Sequence, residues 1–152
     1  MALDDLYKEV ILDHYKNPRN KREVPDAPLS CSRNNPLCGD EITVTAAIGD
    51  DGVLSDVAFT GQGCSISQAS ASMMTEATIG KSVDGARAMA AEFRSMMAGE
   101  TDPSEDEFGE LVALKGVVKY PIRVKCAVLA WDVLQEALGA DGEAAGSAPH
   151  SL

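Results

Sequence analysis

Residues 41–70, EITVTAAIGDDGVLSDVAFTGQGCSISQAS, change their periodicity twice, and those changes decide the fold class. Ile42, Val44, Ala46 and Ile48 fall at alternate positions, the pattern of a strand with one buried face. Gly49-Asp50-Asp51-Gly52 is a hairpin turn signal. Residues 53–60 supply the returning strand, with Val57 and Phe59 pointing inward. Gly61-Gln62-Gly63 ends that strand, and from Ser65 to Thr78 the composition becomes small and helical.

The segments outside this stretch extend the pattern. LDDLYKEVILDHYK reads as an amphipathic helix, with Leu6, Val10 and Tyr15 near helical spacing and Asp4 and Asp5 at its positive end. Asn17-Pro18 stops it. Residues 19–40 hold three prolines and few apolar clusters, which predicts a long irregular connection with room for a short edge strand. Downstream, Gly80 ends one helix, and Ser82 caps the next, which runs to about Ala98. Ser104 and Glu107 form a capping box for a short helix reaching Val118, and the acidic run Glu105-Asp106-Glu107 is its solvated start. Pro121 opens a last helix in which Ile122, Cys126, Leu129, Val133 and Ala137 share one stripe. Strands come first and helices later, which is an α+β order in one domain over residues 1–138. Residues 139–152, GADGEAAGSAPHSL, read as a flexible C-terminal tail. Met73, Met74, Met89, Met96 and Met97 read as core packing.

Bulk properties narrow the function. A chain of 152 residues with 45% hydrophobic and 24% charged content suits one globular core. A net charge of −11 repels phosphate backbones, so nucleic acid is not an expected partner. No apolar run reaches the roughly 20 residues that span a bilayer, and the first residues lack a charged-then-apolar leader. The expectation is a cytoplasmic protein without membrane attachment, whose four cysteines stay reduced.

Those cysteines form no CxxC pair, and the only histidines are His14 and His150. A metal site built on the thiols must therefore do largely without imidazole. Taken one at a time, each cysteine is more often a small buried hydrophobe than a functional group, and Cys126 on its apolar stripe fits that description. Cys31 shares it. Cys38 and Cys64 fit it less well. Cys38 follows Asn34-Asn35-Pro36 in a turn-rich loop, two positions before Asp40, and Cys64 follows Gly61-Gln62-Gly63 at a helix start, where exposed N–H groups favour thiolate. Three thiolates and the Asp40 carboxylate could make a tetrahedral zinc site of charge about −2. Arg123, three residues before Cys126 on the same helix face, could offset that charge, with Lys125 to the side. A core-packing role and a purely structural zinc site stay open on spacing alone.

Four segments, LYKEVILDHYKNPRN, NPLCGDEI, GQGCSISQASASMMTE and YPIRVKCAVLAW, resemble the SufU branch of the IscU/NifU-N-like iron–sulfur cluster assembly proteins. The resemblance runs from residue 3 to about residue 138. It implies a small antiparallel sheet packed by helices, with the metal site at one end, and zinc ligands at Cys38, Asp40, Cys64 and Cys126. It also implies a sulfurtransferase role. Cys38, released by zinc-ligand exchange with a histidine of a SufS-type cysteine desulfurase, accepts persulfide sulfur, and Arg123 tunes the site or contacts the partner. Downstream SUF scaffold components are further implied partners. The alternative within the same family is a scaffold that builds an iron–sulfur cluster on these cysteines. Lys125 stands where IscU proteins proper carry a histidine, and residues 99–117 look like the insertion that marks the SufU branch. Cys31 has no counterpart in the pattern.

Overall fold

The structure, a computed structural model, describes residues 3–35 and 39–139, with side chains from residue 8 onward. Cys38 and the expected tail beyond Gly139 lie outside the described residues. Helix α1 (Leu3–Lys16) leads to strand β1 (Leu29–Asn35), then β2 (Asp40–Ile48) and β3 (Leu54–Gln62). Helices α2 (Ser65–Thr78), α3 (Val83–Met97) and α4 (Glu105–Phe108) come next, then a 3-10 segment (Gly109–Val117) and α5 (Pro121–Leu138). The strands form one antiparallel sheet in the order β1-β2-β3. This is the α+β architecture that the change of periodicity predicts.

The hairpin is where the sequence places it. Gly52 adopts φ +80°, and the Gly49 N–H bonds to the Val53 carbonyl at 2.8 Å. Ile42, Val44 and Ala46 are fully buried, and Val44 pairs with Phe59 across the ladder. Ile48 breaks the alternation and is 40% exposed. A β-bulge between Ala47 and Ile48 turns it off the core face, which period-2 counting cannot anticipate.

The connection after α1 is more ordered than its prolines suggest. The Val24 N–H donates to Thr45 Oγ1 at 3.0 Å, and the Phe59 N–H donates to the Asn20 carbonyl along the outer edge of β3. β1 is a full seven-residue edge strand, not a short one, paired with β2 from Leu29↔Ala46 to Asn35↔Asp40. Its residues, LSCSRNN, carry little apolar signal because the edge is only half-buried.

Helices α2 and α5 lie on the sheet, α2 against β3 and α5 against β1 and β2, and they pack on each other. Every residue of α2 from Ser67 to Thr75 is buried. The small side chains permit this close packing, and Ser70 Oγ donates to the Ala127 carbonyl of α5 at 2.6 Å. α1 packs on α2 and on the 3-10 segment, and α3 packs on α5. There Phe93 stacks on Trp131 with ring centroids 4.8 Å apart, worth about 0.5–1.5 kcal/mol beyond area burial.

Three further differences are local. The face α1 turns to the protein is Val10, Ile11 and His14, whereas Tyr15 is 44% exposed. His14 is fully buried because both ring nitrogens are bonded, Nδ1 with Ser72 Oγ and Nε2 with Glu110 Oε1, each at 2.8 Å. The Ser104–Glu107 capping box is present, but its helix stops at Phe108, where Gly109 takes φ +59°. From Gly109 the chain winds as a 3-10 helix, with Leu111, Leu114 and Val117 buried at intervals of three, the period of that helix. In α5 the buried stripe begins at Cys126. Ile122, in the first turn, is 58% exposed.

Candidate metal centre

Two tight backbone features deliver the donors. β1 and β2 are paired up to Asn35 and Asp40, and the Gly39 N–H bonds to the Asn35 carbonyl at 2.9 Å with Gly39 at φ +71°. This ties together the two residues that flank positions 36–38 and fixes Asp40 as the first residue of β2. On the neighbouring strand, the chain leaves β3 through Gly61-Gln62-Gly63 and enters α2 with Cys64 at the N-cap.

Asp40 is fully buried. Its Oδ1 accepts the Cys64 N–H at 2.9 Å, so a strand-start carboxylate satisfies a helix-start donor. Its Oδ2 has no hydrogen-bond partner among the described residues. A buried carboxylate oxygen left in that state is costly unless a cation or donor faces it. Gly63 makes the placement possible. A Cβ there would lie 2.3 Å from Asp40 Oδ1 and 2.6 Å from Ser67 Oγ. Gly63 thus serves the carboxylate's approach, whereas Gly61 admits the Glu41 backbone carbonyl, purposes that reading the cysteine's own surroundings does not reveal. Ser67 in turn donates to the Cys64 carbonyl at 3.1 Å and tightens the first turn of α2.

Cys126 comes from the other side, fully buried on α5, its Sγ 3.6 Å from the Ile122 carbonyl. The donor atoms of Asp40, Cys64 and Cys126 all lie within 4.8 Å of one another. Zinc–sulfur bonds of about 2.3 Å imply sulfur–sulfur separations of about 3.8 Å in a tetrahedral shell, so a small contraction would close these donors on an ion. Two sulfurs and a carboxylate oxygen without a partner among the described residues are a donor set that fits a zinc or iron centre.

The structure brings Arg123 to the same place. Its side chain is exposed, and its guanidinium lies beside Cys126 and Cys64. Those sulfurs raise its already high pKa further, through Cys126 and then the charge of Cys64. Lys125 is exposed. Cys31 is not part of the cluster. It sits on β1, where its Sγ lies 3.3 Å from Glu136 Oε1. Burial, and then the Glu136 carboxylate, push its pKa up to about 11. A second grouping of His14, Glu76 and Glu110 places its donors equally close, but there the imidazole already has a partner at each nitrogen.

The chain is similar to known proteins over most of its length. Residues 6–127 match the NifU-like N terminal domain family. The zinc-dependent sulfurtransferase SufU of Bacillus subtilis is 47% identical over 134 residues, covering 88% of this chain and 90% of that protein. The iron–sulfur cluster assembly scaffold protein IscU of Streptococcus pyogenes is 45% identical over 136 residues, covering 90% and 84%. The crystal structure of the SUF-system protein FiSufU from Fervidobacterium islandicum superposes with a TM-score of 0.81 at 35% identity, covering 90% of this chain and 99% of that one. Among the described residues, no helix is long and apolar enough to cross a membrane.

Proposed function

The chain belongs to the NifU-like N terminal domain family, and on that premise we propose that it is a zinc-dependent sulfurtransferase of iron–sulfur cluster biogenesis. On this reading it accepts persulfide sulfur on Cys38 from a SufS-type cysteine desulfurase, and zinc is held by Cys38, Asp40, Cys64 and Cys126. The observation that carries it is the Asp40 carboxylate, wholly buried between two thiols with one oxygen anchored and the other without a partner among the described residues. Zinc bound there would supply a redox-inert positive charge that keeps the thiolates deprotonated and lets ligands exchange easily.

The chain's own residues divide the work. Asp40, anchored to the α2 backbone, and Cys64 and Cys126, rooted in helices, form the fixed part. Cys38, which stands in the sequence between Asn35 and Gly39, is the ligand to be exchanged for one from the partner. Its thiolate attacks the outer sulfur of the enzyme persulfide. The persulfide's S–S bond breaks, the enzyme cysteine leaves as a thiolate, and a new S–S bond to Cys38 forms, with no net oxidation or reduction. Arg123 offsets the negative charge of the thiolates from the solvent side. Downstream SUF components would then take the sulfur.

Metal analysis of aerobically purified protein, with mass spectrometry after incubation with desulfurase and cysteine, tests this reading. One zinc per chain and an added sulfur on Cys38, lost in Cys38→Ala with the fold intact, are the expected results. Stoichiometric iron and sulfide without zinc would assign the centre to a cluster scaffold, the function named for the Streptococcus pyogenes relative.

A further inference from the structure

Beside the metal centre lies a groove of about 530 Å³ between α1, the start of α2, the 3-10 segment and the start of α5. Ile11, Ile66 and Tyr120 help form its apolar wall, and Lys8, Lys119 and Arg123 supply its charge. None of its lining residues among the described ones is acidic, although the chain carries 24 acidic against 13 basic residues. The groove is therefore a local reversal of a strongly negative surface. It adjoins the metal centre, because Arg123, which lines it, lies beside Cys126 and Cys64, and Ile66, also in its lining, follows Cys64 by two residues. Its apolar surface continues outward through Tyr120 and Ile122, 55% and 58% exposed, and the Lys119 ammonium lies 5.7 Å from the Tyr120 ring centroid.

We propose that this groove receives an acidic, apolar-tipped segment of the sulfur-donating enzyme, and so sets that enzyme's position over the metal centre. The inference rests on the sulfurtransferase reading above and adds the docking surface and the chemistry of the segment that fills it. The basic rim selects a carboxylate-bearing chain from partners that the rest of this surface repels. The apolar wall needs an apolar side chain to displace its water, which a free anion does not provide. The outward continuation through Tyr120 and Ile122 calls for a protein surface, since the apolar area extends past the groove itself.

Charge reversal at the two lysines, Lys8→Glu with Lys119→Glu, tests the proposal away from the metal donors. Binding of a purified SufS-type desulfurase is measured by titration calorimetry at low and moderate salt, with zinc content and melting temperature as controls. The expected result is a Kd raised about tenfold or more at low salt, a gap that narrows as salt rises, and unchanged zinc and melting. The Lys8→Arg, Lys119→Arg pair should bind like the wild type, and Tyr120→Ala should weaken binding severalfold with the fold intact. Equal binding by the reversed and wild-type proteins would overturn the groove as the docking site while leaving the sulfurtransferase reading in place. A wild-type protein that fails to bind the desulfurase overturns that reading, and the inference with it. If the reversal alters only self-association by light scattering, the occupant is a second copy of this chain and the proposal fails.

Discussion

Replacing Gly63 with alanine puts a methyl carbon 2.3 Å from Asp40 Oδ1, 2.9 Å from Asp40 Cγ and 2.6 Å from Ser67 Oγ. None of these distances is tolerable, so the carboxylate must swing away and give up its 2.9 Å bond from the Cys64 N–H. A hydrogen bond to a charged group is worth about 1.5–3 kcal/mol, and overpacking a tight site costs about 1–3 kcal/mol. Because the shift that relieves one also causes the other, about 3 kcal/mol is the expected loss for the metal-stripped protein, or roughly 10 °C in Tm. Zinc affinity should fall by about ten- to a hundredfold, the usual cost of losing a ligand's positioning partner. Urea unfolding of the stripped protein and competition for zinc against a chromophoric chelator measure the two effects separately. Gly116→Ala, where an added Cβ meets nothing within 4 Å, is the neutral control. A Gly63→Ala protein with wild-type unfolding and wild-type zinc affinity would falsify the account of how Asp40 is held.

Other outcomes rest on the same geometry. Asp40→Asn should stabilise the metal-free protein by about 1 kcal/mol or more, since it removes a buried charge whose Oδ2 has no partner among the described residues, while weakening zinc binding; greater stability without weaker binding would argue against Asp40 as a ligand. Arg123→Ala should retain zinc yet reduce stimulation of the desulfurase, because the guanidinium is exposed beside the two sulfurs without being one of the metal donors. Cys31, with its pKa pushed up to about 11, should be about one part in a thousand thiolate at pH 8 and alkylate slowly there. A raised thiol pKa favours the folded state only while the thiol keeps its proton, so this contribution should fade from about pH 9 to pH 11. Rapid alkylation of Cys31 at pH 8 in folded protein would contradict its placement.

The sequence makes the sheet and the metal donors readable for different reasons. The β2–β3 hairpin is a local event, carried by period-2 alternation and a glycine turn, so a single stretch displays it. β1 is nearly invisible because its half-buried edge position demands no apolar alternation. The 3-10 segment announces itself only through Leu111, Leu114 and Val117, a spacing of three that α-helical reading absorbs. Asp40, Cys64 and Cys126 could be grouped from the family pattern, yet spacing alone left Cys126 as readily a core residue, and it is in fact fully buried. What no local reading supplies is the pairing of distant groups. Asp40 with the Cys64 N–H, and His14 with Ser72 and Glu110, meet only once the sheet and helices have assembled.

The three gathered donors enter from the start of β2, the start of α2 and one turn inside α5, segments far apart along the chain. An ion held there is therefore a cross-link, tying the sheet to both of the helices that cover it. In the chain-entropy account, closing loops of such length constrains the unfolded state by about 3–4 kcal/mol for each link. On the proposed reading, Cys38 adds no new segment to this knot, because Asp40, two residues later in the sequence, is already one of the donors. Releasing it to carry sulfur then leaves every cross-link in place, so the protein can be chemically open at one ligand while mechanically closed at the other three.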